Sequence, residues 1–298
     1  MAWAARLLLG LVWLLHWLPL PLLAAVGQGL GGLLHLLGRS RRDVALRNLE
    51  LCLPELPEAE RRAIVRQQFG WLGRSLLERG LLWYASPARL KRLIHVEGEV
   101  QLAETSAQPV MWLVPHFMAL DVAGATTQLF QQQWVASIYQ AQSNAVLDAA
   151  MRQGRLRFGR GEVFARQESA LPLVRVVKKK KAAFFNLPDM DFGPRDAAFV
   201  PFFGVPAATL LAPSRLARSL KMVVQPVLAE ILPGGRGYRV RFLPPWTDWP
   251  TDDAEADARR MNAWIETEIR RNPSQYLWVH KRFKTRPPGE ASLYSGDN

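Results

Sequence analysis

The sequence predicts an α/β protein: an N-terminal transmembrane or membrane-embedded helix followed by a single α/β sandwich domain. Three observations predict it. Leu7 to Gly38 contains no Asp, Glu, Lys or Arg and is dominated by leucine. Beyond residue 84, short apolar runs alternate with helical stretches, the pattern of strands and helices packed in layers. Within one of those runs, Met111–Val114 stops at Pro115, and His116 follows at once, where a buried strand gives way to a helix. The boundaries that follow are 1–38 for the membrane anchor, 39–84 for a linker and amphipathic helix, and 85–298 for the α/β domain.

The charge-free run is longer than the roughly 20 residues a helix needs to cross a bilayer. Pro19 and Pro21 are expected to end or kink that helix. Arg6 precedes it, and Arg39, Arg41 and Arg42 follow it. The excess of positive charge on the C-terminal side assigns the rest of the chain to the cytoplasm. The rival is a cleaved signal peptide cut near Ala24-Ala25. Its apolar region would be unusually long, and the basic cluster behind it resembles a stop-transfer flank. Gly27, Gly29 and Gly32 match G-x-G-x-x-G, but no βαβ context surrounds them, so they do not mark a dinucleotide site.

Asp43–Leu56 reads as a connecting segment. Pro57–Trp83 reads as an amphipathic helix, with Ile64, Val65, Phe69, Leu72, Leu76 and Leu77 at helical spacing and arginines elsewhere. That face either packs in a core or lies on a bilayer surface. Strands are expected at Leu93–Val96, Met111–Val114, Trp134–Tyr139, Ala182–Leu187, Met222–Leu228 and Tyr238–Leu243. Helices are expected over Ala119–Gln131, Asn144–Arg152, Ser169–Val177, Ala207–Leu220 and Thr251–Arg271. The last starts with Asp252, Asp253, Glu255 and Asp257 and ends with Arg270 and Arg271, as the helix dipole prefers. Val200–Phe203 reads as an apolar patch in a loop, and the tail from Tyr276 as exposed.

The formal charge of +12 implies an anionic partner. Eleven tryptophans suit a membrane–water interface, and the anchor accounts for the basic charge better than nucleic acid does. The single Cys52 excludes an internal disulfide and a multi-cysteine metal site. There is no G-x-S-x-G elbow, Walker A loop or zinc spacing, and no metal or cofactor is expected.

The chemistry-bearing residues gather in a few places. His116 sits in a turn and Asp121 in the first turn of the next helix, free to reach back. A carboxylate on one imidazole nitrogen fixes the tautomer and leaves the other nitrogen as a general base. The competing reading is a partly buried histidine beside a helix-start aspartate. Arg155, Arg157 and Arg160 lie among Gly154, Gly159 and Gly161, a composition that suits an anionic group or a solvated basic turn. Lys178–Lys181 suits a helix C-terminus. Asp189, Asp191, Arg195 and Asp196 follow an apolar strand directly, as at the ligand-bearing edge of an α/β sheet or in a solvated turn. An anchor, a His/Asp pair and scattered cations suit acyl transfer at a membrane, with histidine deprotonating an acceptor hydroxyl that attacks a thioester.

His116-Phe-Met-Ala-Leu-Asp121 resembles the H-x4-D/E box of glycerolipid-type acyltransferases. The wider likeness is to the late acyltransferases of lipid A biosynthesis, the lauroyl and myristoyl transferases of Gram-negative bacteria. It rests on the anchor, Arg47-Asn48-Leu49-Glu50-Leu51-Cys52-Leu53-Pro54, Pro188-Asp-Met-Asp-Phe-Gly-Pro194, Phe199-Val-Pro-Phe-Phe-Gly204 and the stretch from His280 to Glu290. The resemblance implies acyl transfer from acyl-acyl carrier protein to a hydroxyl of a Kdo-bearing lipid A precursor, an anionic glycolipid. It implies a site on the cytoplasmic face of the bacterial inner membrane, with no nucleic-acid partner. It implies His116 as base with Asp121 as its partner, and Asp189, Asp191 and Arg195 lining the site. Such proteins often read Tyr-Arg-Pro-x-x-Asn where this chain has Tyr139-Gln-Ala-Gln-Ser-Asn144. Arg155, Arg157 and Arg160 are the nearest basic substitutes for binding the substrate. The remaining alternatives are another lipid acceptor, such as a lysophospholipid or aminolipid, and an inactive membrane-surface scaffold.

Overall fold

The computed structural model describes residues 2–167 and 170–294. Four helices come first: α1 (Ala2–Leu15), α2 (Leu20–Leu37), α3 (Arg39–Cys52) and α4 (Glu58–Tyr84). The α/β portion runs α5 (Pro87–Leu93), β1 (Ile94–Gly98), α6 (Leu102–Thr105), β2 (Val110–Leu113), α7 (Leu120–Leu129), β3 (Val135–Tyr139), α8 (Ala145–Arg155), β4 (Gly161–Ala165), α9 (Leu171–Lys180) and β5 (Ala183–Asn186). It ends with β6 (Ala197–Phe202), β7 (Val205–Leu210), α10 (Ala212–Ser219), β8 (Val223–Ile231), β9 (Tyr238–Phe242) and α11 (Ala254–Arg271).

Seven strands form one sheet in the order β1-β9-β8-β2-β5-β3-β4. The run β8-β2-β5-β3-β4 is parallel throughout, and β9 turns antiparallel to β8. A parallel sheet must be covered on both faces, and alternate side chains do this. Met111, Leu113 and Phe184 enter a core with α3, α9, α10 and α11. Val110, Trp112, Val114 and Phe185 enter the opposite core with α2, α5 and α7. Trp112 is fully buried, and its indole N–H donates to Gln225 Oε1 at 3.0 Å.

Helix α4 feeds both cores, Val65 and Phe69 into one and Leu81 and Leu82 into the other. It therefore crosses the end of the sheet rather than lying on one face. The expected helix is there, but its middle is not an ordinary amphipathic surface. Arg74 and Glu78 are buried and ion-paired. Arg74 donates to Leu232 O at 2.8 Å, and Tyr238 Oη donates to Glu78 at 2.7 Å. These bonds fasten α4 to the ends of β8 and β9.

Several sequence expectations change. Asp43–Leu56 is mostly helix α3, not a connection. Its Asn48 side chain donates to the carbonyls of Trp278 at 2.6 Å and His280 at 2.7 Å. Val200–Phe203 and the first residues of the expected 207–220 helix belong instead to the hairpin β6–β7, and α10 begins only at Ala212. The hairpin turns through Phe203 and Gly204, both with positive φ. A two-residue turn of that kind is normally announced by Asn-Gly or Asp-Gly, which this chain lacks there. Helix α9 spans Leu171–Lys180; the expected start at Ser169 lies outside the described residues. The tail is not exposed: Tyr276, Trp278, Phe283 and Tyr294 are buried, and so is Arg282, which donates to Ala208 O at 2.8 Å and Thr209 Oγ1 at 2.9 Å.

The Arg74–Glu78 pair makes a direct stability prediction. Arg74→Met leaves the Glu78 carboxylate buried without its cation and is expected to cost roughly 3–5 kcal/mol. Adding Glu78→Leu should recover much of that loss, which denaturant unfolding of both variants in detergent measures.

Candidate active site

His116 and Asp189 reach one another because β2 and β5 are parallel neighbours. Leu113 is in register with Asn186, and each functional residue lies three positions beyond its strand's paired residue. Their chains therefore leave the same rim together. Val114 N–H donates to Asn186 O at 2.9 Å, extending the pairing by one bond. Two residues beyond Asn186, Pro188 lacks the N–H that would continue the ladder.

The Asp189 carboxylate is 1% exposed and takes two bonds from His116. The ring Nδ1 lies 2.7 Å from Oδ1, and the backbone N–H donates to Oδ2 at 2.9 Å. A carboxylate only accepts, so the proton on Nδ1 faces Asp189, and in the neutral ring the lone pair is on Nε2. Tyr276 donates a further hydrogen bond to Asp189. Burial alone would raise the Asp189 pKa. The charge of His116 and the bonds from its ring, its backbone and Tyr276 outweigh burial and hold the group below the usual carboxylate range. Burial and the Asp189 charge push the Tyr276 phenol well above its ordinary value, so it stays a donor.

The aspartate of the H-x4-D box goes elsewhere. Asp121, in the first turn of α7, is 2.8 Å from Arg79 Nη2 of α4 and 3.0 Å from Arg155 Nη2 at the end of α8. Burial opposes its ionisation, but the two guanidiniums hold its carboxyl far below the usual range. The expected bond from Asp121 to the His116 ring is therefore replaced. Asp189 occupies Nδ1, and Asp121 spends its acceptors on two arginines supplied by distant elements. No sequence spacing announces either partnership.

The three arginines of the Gly/Arg stretch separate. Only Arg155 reaches Asp121. Arg157 donates to Leu82 O at 3.3 Å and Ala85 O at 2.8 Å, locking the end of α4, and Arg160 is exposed. Gly154 is small for a packing reason: a Cβ there would lie 2.2 Å from the Trp83 ring. Asp191 does not touch His116. It accepts from Thr285 N at 2.7 Å, Thr285 Oγ1 at 2.8 Å and Gly193 N at 2.9 Å, so it ties the loop after β5 to the tail. Arg195 is exposed in the same loop.

The tail completes the site. Met118 N–H donates to Gln275 O at 2.8 Å, and Leu277 N–H donates to His116 O at 3.0 Å. His280 Nε2 accepts from Asp191 N–H at 3.1 Å. That nitrogen is therefore unprotonated. Burial, with help from His116 and Arg282, lowers the His280 pKa to about 4. Sequence reasoning missed Tyr276 and His280 as site residues. The stretch from His280 to Glu290 was the signal available, since it is one of those carrying the family resemblance.

Beside Asp121 a narrow cavity of about 60 Å³ runs between α4, α7 and α8, lined mainly by Leu82, Trp83, Leu120, Ile138, Phe185 and Leu187, with Arg155 at its edge. His116 does not line it; Leu120 and Leu187 connect it to the histidine turn. The rim thus carries a carboxylate-bound histidine and, separately, two guanidiniums fixed on Asp121 beside a small cavity.

The sequence profile described as bacterial lipid A biosynthesis acyltransferase matches residues 1–285. The chain belongs to that family. It is 35% identical over 295 residues to the lipid A biosynthesis lauroyltransferase of Escherichia coli K12, covering 98% of this chain and 95% of the relative. It is 34% identical to the palmitoleoyltransferase of that strain, covering 98% and 94%, and 34% identical to its myristoyltransferase, covering 92% and 83%. Family membership and these relatives support an acyltransferase activity of lipid A biosynthesis for this chain.

Two outcomes follow for this acyltransferase. Asp189→Asn keeps the shape of the buried side chain but removes the charge that orients His116, so kcat should fall by roughly 10²–10⁴ with the circular dichroism of the fold retained. His280 gives a pH signature. Its folded pKa of about 4 lies below the ordinary 6.5, so the unfolded chain binds the proton first and stability falls as pH drops from 6.5 towards 4. Thermal unfolding in detergent should show a shallower loss over that window in His280→Gln.

Proposed function

We propose that this lipid A acyltransferase moves a fatty acyl chain from acyl-acyl carrier protein to a hydroxyl of a Kdo-bearing lipid A precursor, with His116 as general base. The observation that carries the reading is the 2.7 Å His116–Asp189 bond, which commits Nδ1 to the carboxylate and leaves Nε2 as the nitrogen that acts as base in the neutral ring. Nε2 takes the proton of the acceptor hydroxyl. The oxygen attacks the thioester carbonyl and forms the new C–O bond. Collapse of the tetrahedral intermediate breaks the C–S bond, and the imidazolium returns its proton to the departing thiolate. Asp189 orients the ring and stabilises the imidazolium.

Asp121 acts through the arginines it holds. Paired with Arg79 and Arg155, it fixes two guanidiniums beside the apolar cavity, where cations suit a developing oxyanion or an anionic headgroup. Asp191 positions the loop that carries Asp189, while the exposed Arg160 and Arg195 suit contact with an anionic glycolipid or an acidic carrier protein. Arg157 contributes by fixing the end of α4. The reaction is placed on the cytoplasmic face of the bacterial inner membrane. The apolar run before residue 38 supports a membrane location, and the Arg39, Arg41 and Arg42 cluster behind it suits the anionic lipid of the cytoplasmic leaflet.

The test is transfer on washed membranes, using a tetra-acylated, Kdo-bearing precursor and carrier-protein thioesters of several chain lengths. Wild type should add the mass of one acyl chain and His116→Ala should not. Acylation of a lysophospholipid instead would retain the histidine chemistry and discard this acceptor. Undiminished transfer by a folded His116→Ala would remove the histidine from the mechanism.

A further inference from the structure

The N-terminal apolar run is broken into two helices, and both are docked on the protein. At 1.5 Å per residue, the 14 residues of α1 span about 21 Å and the 18 of α2 about 27 Å, against roughly 30 Å of bilayer hydrocarbon. Helix α2 has a mean hydropathy of 1.6 over its length, so composition alone would let it cross. Its packing says otherwise.

Helix α2 lies lengthwise on α4. A Cβ at Gly27 would come within 2.7 Å of Arg74 Cα, and one at Gly31 would come within 2.2 Å of Phe69 O. Of the three glycines in the G-x-G-x-x-G match, Gly27 is thus explained, since with Gly31 it lets two backbones touch. Helix α4 carries Glu58, Glu60, Arg61, Arg62 and Arg66 in the turns leading to this contact, and a bilayer core does not accept such a helix. Both ends of α2 also meet the α/β domain. Before its start, Arg89 of α5 donates to the carbonyls of His16 and Leu18, the latter at 2.6 Å. At its first turn, a Cβ on Gly235 beyond β8 would lie 2.4 Å from Pro21 Cα. Past its last turn, Arg41 donates to Val279 O at 3.3 Å. A helix whose two ends rest on one domain cannot have them on opposite sides of a membrane.

The outer faces of the two helices are apolar and uncovered. Trp3, Leu7, Leu11, Leu14 and Trp17 are exposed on α1 and its following turn, as are Leu22, Val26, Leu33, Leu36 and Leu37 on α2. Exposed tryptophans suit the headgroup boundary, and the exposed arginines Arg6 and Arg39 beside this surface complement anionic lipid.

We propose that α1 and α2 form a monotopic anchor, lying in the plane of one leaflet with both helices on the α/β domain's side of the membrane. The occupant of the apolar face is the lipid surface itself, and α4 rather than the bilayer core covers the inner face of α2. This rests on the membrane location proposed above, but it concerns how the chain binds lipid, not what reaction it performs.

The test uses the full chain in sealed membrane vesicles with the α/β domain outward, carrying a hydrophilic protease-cleavable tag ahead of Met1. A second form replaces Gln28 and Gly70 with cysteine in a Cys52→Ser background. The three atoms nearest a Cβ at Gly70 all belong to the Gln28 side chain, which the Gln28→Cys substitution removes, so this pair faces each other across the docked helices. The tag should be cleaved together with the α/β domain, without detergent, and the cysteine pair should be joined by a short bis-maleimide in the intact membrane. A tag protected until detergent is added, or cysteines that never join, would overturn the proposal. Acyl transfer is not the readout, so either result leaves the reaction assignment to its own test. Trp3→Ser with Leu7→Ser and Trp17→Ser should lower retention on anionic vesicles by roughly tenfold or more. Unchanged retention would also count against the proposal.

Discussion

Parallel pairing of β2 with β5 is the constraint on which the site depends. It places Leu113 against Asn186, so the residues after each strand emerge side by side. A histidine on one turn and a carboxylate on the next then meet without any long reach. Burial of Asp189 strengthens the arrangement. A carboxylate out of water needs its acceptors filled, and His116 supplies both a ring and a backbone donor. The interaction that orients the His116 ring thus also satisfies a buried carboxylate.

Around that pair, elements far apart in sequence are drawn to one rim. Helix α4 crosses the end of the sheet, carrying α2 on one side and presenting Arg79 to Asp121 on another. The tail closes from the opposite direction, where Tyr276 bonds Asp189 and Thr285 bonds Asp191. The Asp189-Met190-Asp191 run therefore divides its work. One carboxylate faces the histidine and the other fastens the loop to the tail. Asn48 of α3 fixes the same tail from behind. These are hydrogen bonds to backbone groups for the most part, which fix position more firmly than contacts between mobile side-chain tips.

Much of the architecture was legible in the chain. The strands at Met111–Val114, Trp134–Tyr139 and Ala182–Leu187 announced themselves as apolar runs bounded by proline or polar residues, and α11 by its acidic start and basic end. The failures have physical causes. Helix α3 carries six charged residues and a weak apolar stripe, so it read as a linker; its partner is the tail, which sequence does not reveal. The β6–β7 hairpin turns through Phe203-Gly204 without the usual turn residues. The tail read as exposed because its cations dominate the composition, yet Arg282 is buried with its charge bonded to Ala208 O and Thr209 Oγ1.

The sequence by itself determined the layered α/β class, the apolar N-terminal run, the family, and the position of His116 at the turn after a buried strand. These are local properties: periodicity, charge gaps and short motifs. The tertiary structure alone decided the partners. Asp121 is five residues from His116, yet it belongs to Arg79 and Arg155, while Asp189, seventy-three residues away, holds the ring. Strand order and register decide which chain ends are neighbours, and neither is written in the spacing of the residues that meet there. The same holds for the apolar run: its composition would permit a crossing helix, and only the packing of α2 along α4 shows where it lies.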